Sequence, residues 1–245
     1  MWNAVNLQLI VFPVDPQIGV KSQWWQELTG LDEYESKQKR AERTDDGECD
    51  GFGLKLEIDL LRTTWTRGAL MAGVAKGLLD VASGQEPTIP TLGEFVAASN
   101  SFRDLMHRWL STNCPPIYRV SFAGQLFWKQ PSREAAYLKL GDWLPMKLDP
   151  NATDFSYQIN RKRRSTIIDG EINRLRTWSA SKLEVVIQAN ENTKTPYYTE
   201  FGSTLRFDVN TPAENKVPFA TAILCNLFDE LMESAKDIAA RGDVA

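Results

Sequence analysis

Apolar and polar residues alternate from Val5 to Leu9, with Val5, Leu7 and Leu9 on one face and Asn6 and Gln8 on the other. The run closes in Ile10-Val11-Phe12-Pro13, which predicts a strand buried at its far end. Residues 22–42 read as a helix. Trp24, Trp25, Leu28 and Leu31 give its start an apolar face, and Glu33 to Arg43 is almost wholly charged or polar. The turn formers of Thr44 to Gly51 predict a loop. Leu54, Leu56, Ile58 and Leu60 alternate with Lys55, Glu57 and Asp59 as a half-buried strand. Gly68 to Ala82 reads as a helix of small residues with Gly73 and Gly77 one turn apart, and Gly84 to Pro90 as a loop. Thr91 with Glu94 forms a capping box before Phe95, Phe102, Leu105, Trp109 and Leu110, a helix that ends before Cys114-Pro115-Pro116.

The second half repeats this alternation. Tyr118 to Trp128 predicts a strand, Glu134 to Leu144 a short helix, and Pro145 to Asn151 a turn. Phe155–Ile159, Leu183–Ile187 and Leu205–Val209 predict further strands. A closing helix starts near Pro218, keeps a helical period through Phe219, Ile223, Leu227, Leu231, Ala235 and Ile238, and stops at Gly242.

Short segments recur about half a chain apart. Leu61-Arg62-Thr63-Thr64-Trp65-Thr66 resembles Leu175-Arg176-Thr177-Trp178-Ser179, and Asn100 to Met106 resembles Asn226 to Met232. The strand from Val5 lines up with the strand from Tyr118. The expected fold is α+β, mainly antiparallel sheets with amphipathic helices. It divides into an N-terminal lobe, 1–113, and a C-terminal lobe, 114–245, packed as one unit; the short matches have two readings, coincidence and an internal duplication that would make the lobes similar.

Composition narrows the class. The chain has 245 residues, 42% hydrophobic and 24% charged, enough for a core that buries about 70% of the unfolded surface. No apolar run reaches the roughly 18 residues of a membrane span, and no basic region leads into an apolar stretch at the N-terminus. The expectation is a cytoplasmic protein without a membrane association. A net charge of −4 and a pI near 5.2 argue against a dedicated nucleic-acid binder. Cys49, Cys114 and Cys225 are scattered and match no metal spacing, and the single histidine, His107, denies the chain most familiar catalytic and zinc constellations. No cofactor is implied.

The strongest local signal is a basic hairpin, 160–176. Asn160-Arg161 and Asn173-Arg174 each follow an isoleucine, with Lys162, Arg163 and Arg164 between them and Arg176 beyond. Two strands turning near Asp169-Gly170 bring the two Asn-Arg pairs together. Clustered guanidinium groups suit carboxylates and phosphates, Asn adds hydrogen bonds, and Tyr157 and Trp178 are candidate stacking surfaces for a single strand. The alternative is a solvated hairpin whose arginines pair with this chain's own acids. Weaker candidates are Asp45, Asp46, Glu48 and Asp50 as oxygen ligands in an acidic loop; Glu57 and Asp59, with Asp45 and Asp46, as the carboxylates of a metal-dependent nuclease; and the adjacent Trp24 and Trp25, one of which is expected near the surface as a partner anchor.

Asp154 to Ser165, Glu171 to Leu175 with Trp178, Tyr118 to Gly124, and Leu227 to Leu231 together resemble an uncharacterised, sporadically distributed family of bacterial and archaeal proteins of about this length. Such a distribution implies mobile genes, often linked to antiviral defence or to toxins. It implies no reaction and no ligand. The reading from sequence is therefore a non-enzymatic binding or adaptor protein acting with a protein partner. The alternatives are a nucleic-acid-binding protein using the hairpin 160–176, or a metal-dependent nuclease.

Overall fold

The computed structural model describes residues 1–17, 23–32, 34–69, 90–149, 151–190 and 193–243, with backbone alone at 183–190 and 193–198. The strands are β1 (Asn3–Pro13), β2 (Tyr34–Lys39), β3 (Glu42–Cys49), β4 (Phe52–Ile58), β5 (Thr63–Gly68), β6 (Ile117–Gln130), β7 (Ser156–Asn160), β8 (Arg163–Arg164), β9 (Glu171–Asn190) and β10 (Thr193–Asn210). The helices are α1 (Trp24–Thr29), α2 (Phe95–Thr112), α3 (Arg133–Gly141) and α4 (Thr221–Arg241). All ten strands join one sheet in the order β2-β3-β4-β5-β1-β6-β10-β9-β7, with β8 on β9. Every strand pairing is antiparallel. The α+β class with antiparallel pairing is as the sequence predicts.

The two halves of the chain lie on opposite sides of the central pair β1–β6, which runs from Asn3 opposite Phe127 to Pro13 opposite Ile117. Strands β1 to β5 fan out one way and β6 to β10 the other, and each half closes with a long helix. The sheet is therefore continuous across the chain's midpoint. Alternation sends Leu7, Leu9 and Val11 of β1, Leu54, Leu56 and Ile58 of β4, and Phe122 and Leu126 of β6 to one buried face. Helices α2 and α4 cover that face through aromatic contacts. Phe102 and Phe228 of the helices meet Phe122 of the sheet at 6.3 and 5.6 Å, and Phe95 meets Phe207 at 5.6 Å. None of the helices among the described residues is long and apolar enough to cross a membrane.

Three sequence expectations are corrected. The helix over 22–42 shrinks to α1, ended by Gly30, and the charged stretch after it is the hairpin β2–β3. Its residues have no apolar period because they form the outermost, solvated edge of the sheet; the ladder onto β4, not helix propensity, decides their conformation. Likewise Thr44 to Cys49 is strand, and the loop reduces to Asp50-Gly51. Both residues have positive φ, 54° and 77°, as a two-residue hairpin turn requires. The cap of α2 is Glu94, whose side chain accepts from the Ala97 N–H at 2.9 Å, while Thr91 bonds Gly93 instead. The small-residue helix expected at Gly68 to Ala82 lies almost wholly outside the described residues.

The Arg-Thr-Trp similarity also changes meaning. Trp65 stands on β5, beside the central β1, whereas Trp178 stands on β9, one strand removed from β6. Both are fully buried, so they are core landmarks, but they do not occupy matching strands. The second pair, Asn100 to Met106 and Asn226 to Met232, does fall on the two closing helices.

Candidate functional site

The hairpin 160–176 forms as expected, and it brings the two Asn-Arg pairs together. Strand β7 pairs with β9 from Ser156 opposite Ser179 to Asn160 opposite Leu175, and Arg163 and Arg164 pair with Ile172 and Glu171. Asn160 accepts the Arg174 N–H at 2.9 Å and donates to Asn173 at 3.1 Å; Asn173 passes the chain on to Asn210, also at 3.1 Å. Asn160 thus takes a backbone N–H that the end of the short β7 leaves open, and the other amides extend a chain of side-chain hydrogen bonds from it.

Most of the guanidinium groups are consumed inside the molecule. Asp243, just past α4, is buried and takes three donors: Arg161 Nε at 2.7 Å and Nη2 at 3.0 Å, Tyr157 Oη at 2.7 Å, and Arg176 Nη2. Burial alone would raise its pKa, but these donors outweigh that and hold the carboxyl well below the usual carboxylate range. The hydrogen bond to Asp243 in turn raises the Tyr157 phenol. Arg174 pairs with Asp237 at 2.7 Å, and Arg241 pairs with the same carboxylate at 2.9 Å; burial lowers the Arg174 pKa despite this partner. Arg164 pairs with Asp169 at 2.5 Å, with both groups exposed. Arg161, Arg174, Arg176, Asp237, Arg241 and Asp243 line a cleft of about 730 Å³ between the end of α4, Trp143 and the hairpin.

The turn of the hairpin is held from α4. Glu230 accepts from Ser165 Oγ at 2.5 Å, the Thr166 N–H at 2.7 Å and Thr166 Oγ1 at 2.9 Å. Ser165 Oγ then accepts the N–H groups of Ile167 and Ile168 at 3.1 Å.

Two cations of the hairpin remain. Lys162 and Arg163 are exposed, and neither forms an ion pair among the described residues. They sit next to β7, which ends the sheet order and, among the described residues, pairs on one side only. Trp178 is fully buried with Tyr157 against it, ring centroids 6.0 Å apart, so the expected stacking surface is core packing. Trp24 and Trp25 are both buried, against Trp109 and against Trp65 and Tyr34; no tryptophan of α1 is a surface anchor.

The carboxylates proposed for a metal are dispersed. Asp45 is fully buried and held by Arg43 and Ser36. Its neighbour Asp46 is one step along β3 and so turns to the other face. Glu57 bonds Lys55 at 2.7 Å, and Asp59 closes a turn by accepting the N–H groups of Leu61 and Arg62. Among the described residues no three metal-ligating side chains come together. His107 is half-buried and bonds Asp229 across the two long helices at 2.9 Å.

The sequence reading missed Asp237, Asp243 and Glu230. Their partners on the hairpin side lie 63 to 86 residues away along the chain, a separation at which no spacing rule operates. No family model matches this chain, and no curated protein matches it.

Proposed function

We propose that this chain is a non-enzymatic binding or adaptor protein that docks an acidic segment of a protein partner at the β7–β8 edge of its sheet. One observation carries the reading: after the internal pairs are made, the hairpin still presents Lys162 and Arg163 without an ion pair among the described residues, beside a strand that ends the sheet order of those residues. Exposed cations of that kind supply complementarity and steer association, and an edge strand offers unpaired backbone to an extended segment. The resemblance carried by Asp154 to Trp178 is what supports a mobile defence or toxin-linked setting, in the cytoplasm. The two halves share an order of elements, a central strand, a short helix, a meander and a long helix, which supports reading them as an internal duplication.

The test is purification from the native host of the wild-type chain and of K162E/R163E. A stoichiometric protein that co-purifies with the wild type and is lost from the folded variant is the expected result. Equal capture by both would overturn the assignment of this edge. Co-purifying nucleic acid, lost steeply as salt rises, would replace it with the nucleic-acid reading.

A further inference from the structure

The β9–β10 hairpin is much longer than the sheet that holds it. Strand β7 borders β9 only up to Ser179, and β6 borders β10 only from Phe201. Beyond those points Ala180 to Asn190 and Thr193 to Glu200 have, among the described residues, no strand partner but each other. At about 3.3 Å per residue the free part of β9 extends roughly 35 Å. An isolated two-stranded ribbon is marginal in water, and a long open edge of apolar, β-branched residues seeks another strand.

The two edges of this arm differ. Strand β10 carries Pro196, which has no N–H to donate, and its register shifts between Thr193 and Lys194 and again between Pro196 and Tyr198. Strand β9 reads Ala-Ser-Lys-Leu-Glu-Val-Val-Ile-Gln-Ala-Asn from 180 to 190, with no proline and no glycine. The free length of β9 is also centred on Val185. An antiparallel copy of the same segment, paired about Val185, uses all of it. Leu183 then stands opposite Ile187 of the other copy, Val185 opposite Val185, and Lys182 opposite Gln188, so no like charges face each other. Leu183, Val185 and Ile187 occupy alternate positions and share one face, which makes the central cross-strand pairs of that face apolar. Centring the pair on Lys182 or Glu184 would instead set like charges against each other.

We infer that the β9 arm is a homodimerisation strand: two copies of this chain pair their β9 edges antiparallel about a two-fold axis at Val185, joining two sheets into one. The contact is isologous, so it closes at two copies.

Light scattering on the purified wild-type chain is expected to give twice the 27.7 kDa chain mass, and V185K, which sets two lysines opposite each other, the mass of one chain with an unchanged circular-dichroism spectrum. Because V185K also alters the arm itself, a second variant fixes the register. Residues directly opposite lie about 4.5–5.5 Å apart between Cα atoms, within reach of a disulfide. Under mild oxidant V185C is expected to cross-link to itself, and L183C to cross-link to I187C in a mixture rather than to itself. A wild-type chain that stays at 27.7 kDa up to about 100 μM, weaker than most specific interfaces, would overturn the inference. So would a dimer that V185K leaves intact and V185C does not cross-link. This result does not depend on Lys162 and Arg163, so it fails or stands apart from the proposed docking edge.

Discussion

Asp243 does at the scale of one residue what the ends of long helices rarely do unaided: it ties α4 to two strands. Its carboxylate is fully buried and neutralises Arg176, whose side chain is 4% exposed, together with the outer Arg161. Nε and Nη1 of Arg176 are buried without a hydrogen-bond partner among the described residues, so that guanidinium depends on this one acid. Asp243→Ala leaves a buried cation unpaired and is expected to cost about 3–5 kcal/mol, read as a fall in the denaturant midpoint. The pH dependence has a definite sign. A carboxyl with a depressed folded pKa stabilises the fold above its unfolded value, near 3.9, and that contribution is lost as pH falls toward the folded value. Wild type should therefore lose melting temperature between about pH 5 and pH 3 more steeply than Asp243→Asn. Parallel curves for the two chains would remove this ion cluster as a source of acid sensitivity. The arginines that look most like a ligand site from sequence are thus partly structural, and Arg161, Arg174 and Arg176 cannot be substituted as if they were surface groups.

Among the elements, the exit from α4 is a tight passage against backbone. Gly242 has φ +69°, and a Cβ there would meet the Trp143 carbonyl oxygen at 2.4 Å. The next N–H, of Asp243, bonds that same oxygen at 2.7 Å, so this crossing delivers the carboxylate to its arginines. Gly242→Ala is expected to cost at least about 1–3 kcal/mol from backbone conformation alone, measured as a lowered melting temperature; no change would mean that the segment adapts and does not position Asp243. Elements with one buried face were readable in advance. Alternation marks β1, β4 and β6, and the apolar period marks α2 and α4. The edge hairpin β2–β3 was not readable, because Glu35, Lys37 and Lys39 face solvent and leave no period to see. The long β9–β10 arm was read only in fragments, since its ladder runs on past the strands that give the rest of the sheet a buried face.

For the molecule as a whole, the β1–β6 pair governs cooperativity. Each half supplies one strand of that pair and one of the two long helices, and Lys236 on α4 bonds Asn100 on α2 at 3.0 Å across the divide. A single unfolding transition is expected, and the isolated 1–113 segment, which would expose the β6-facing edge of β1 and one flank of α2, is expected to lack a cooperative melt. Two separated transitions in the intact chain would mean that the halves are independently stable.

What the sequence determined by itself is the local structure of the elements with one buried face. Periodicity named the covered strands and the amphipathic helices, turn chemistry placed the hairpin at Asp169-Gly170, and the mixture of those elements set an α+β class, because these signals act over a few residues. The tertiary structure alone decided which charges are spent and which are free. Asp243 finds Arg161 and Arg176, Asp237 finds Arg174, and Lys162 and Arg163 are left over, because pairing between charges distant in sequence depends on the sheet order and on where α4 ends, and neither is written in any short stretch of the chain.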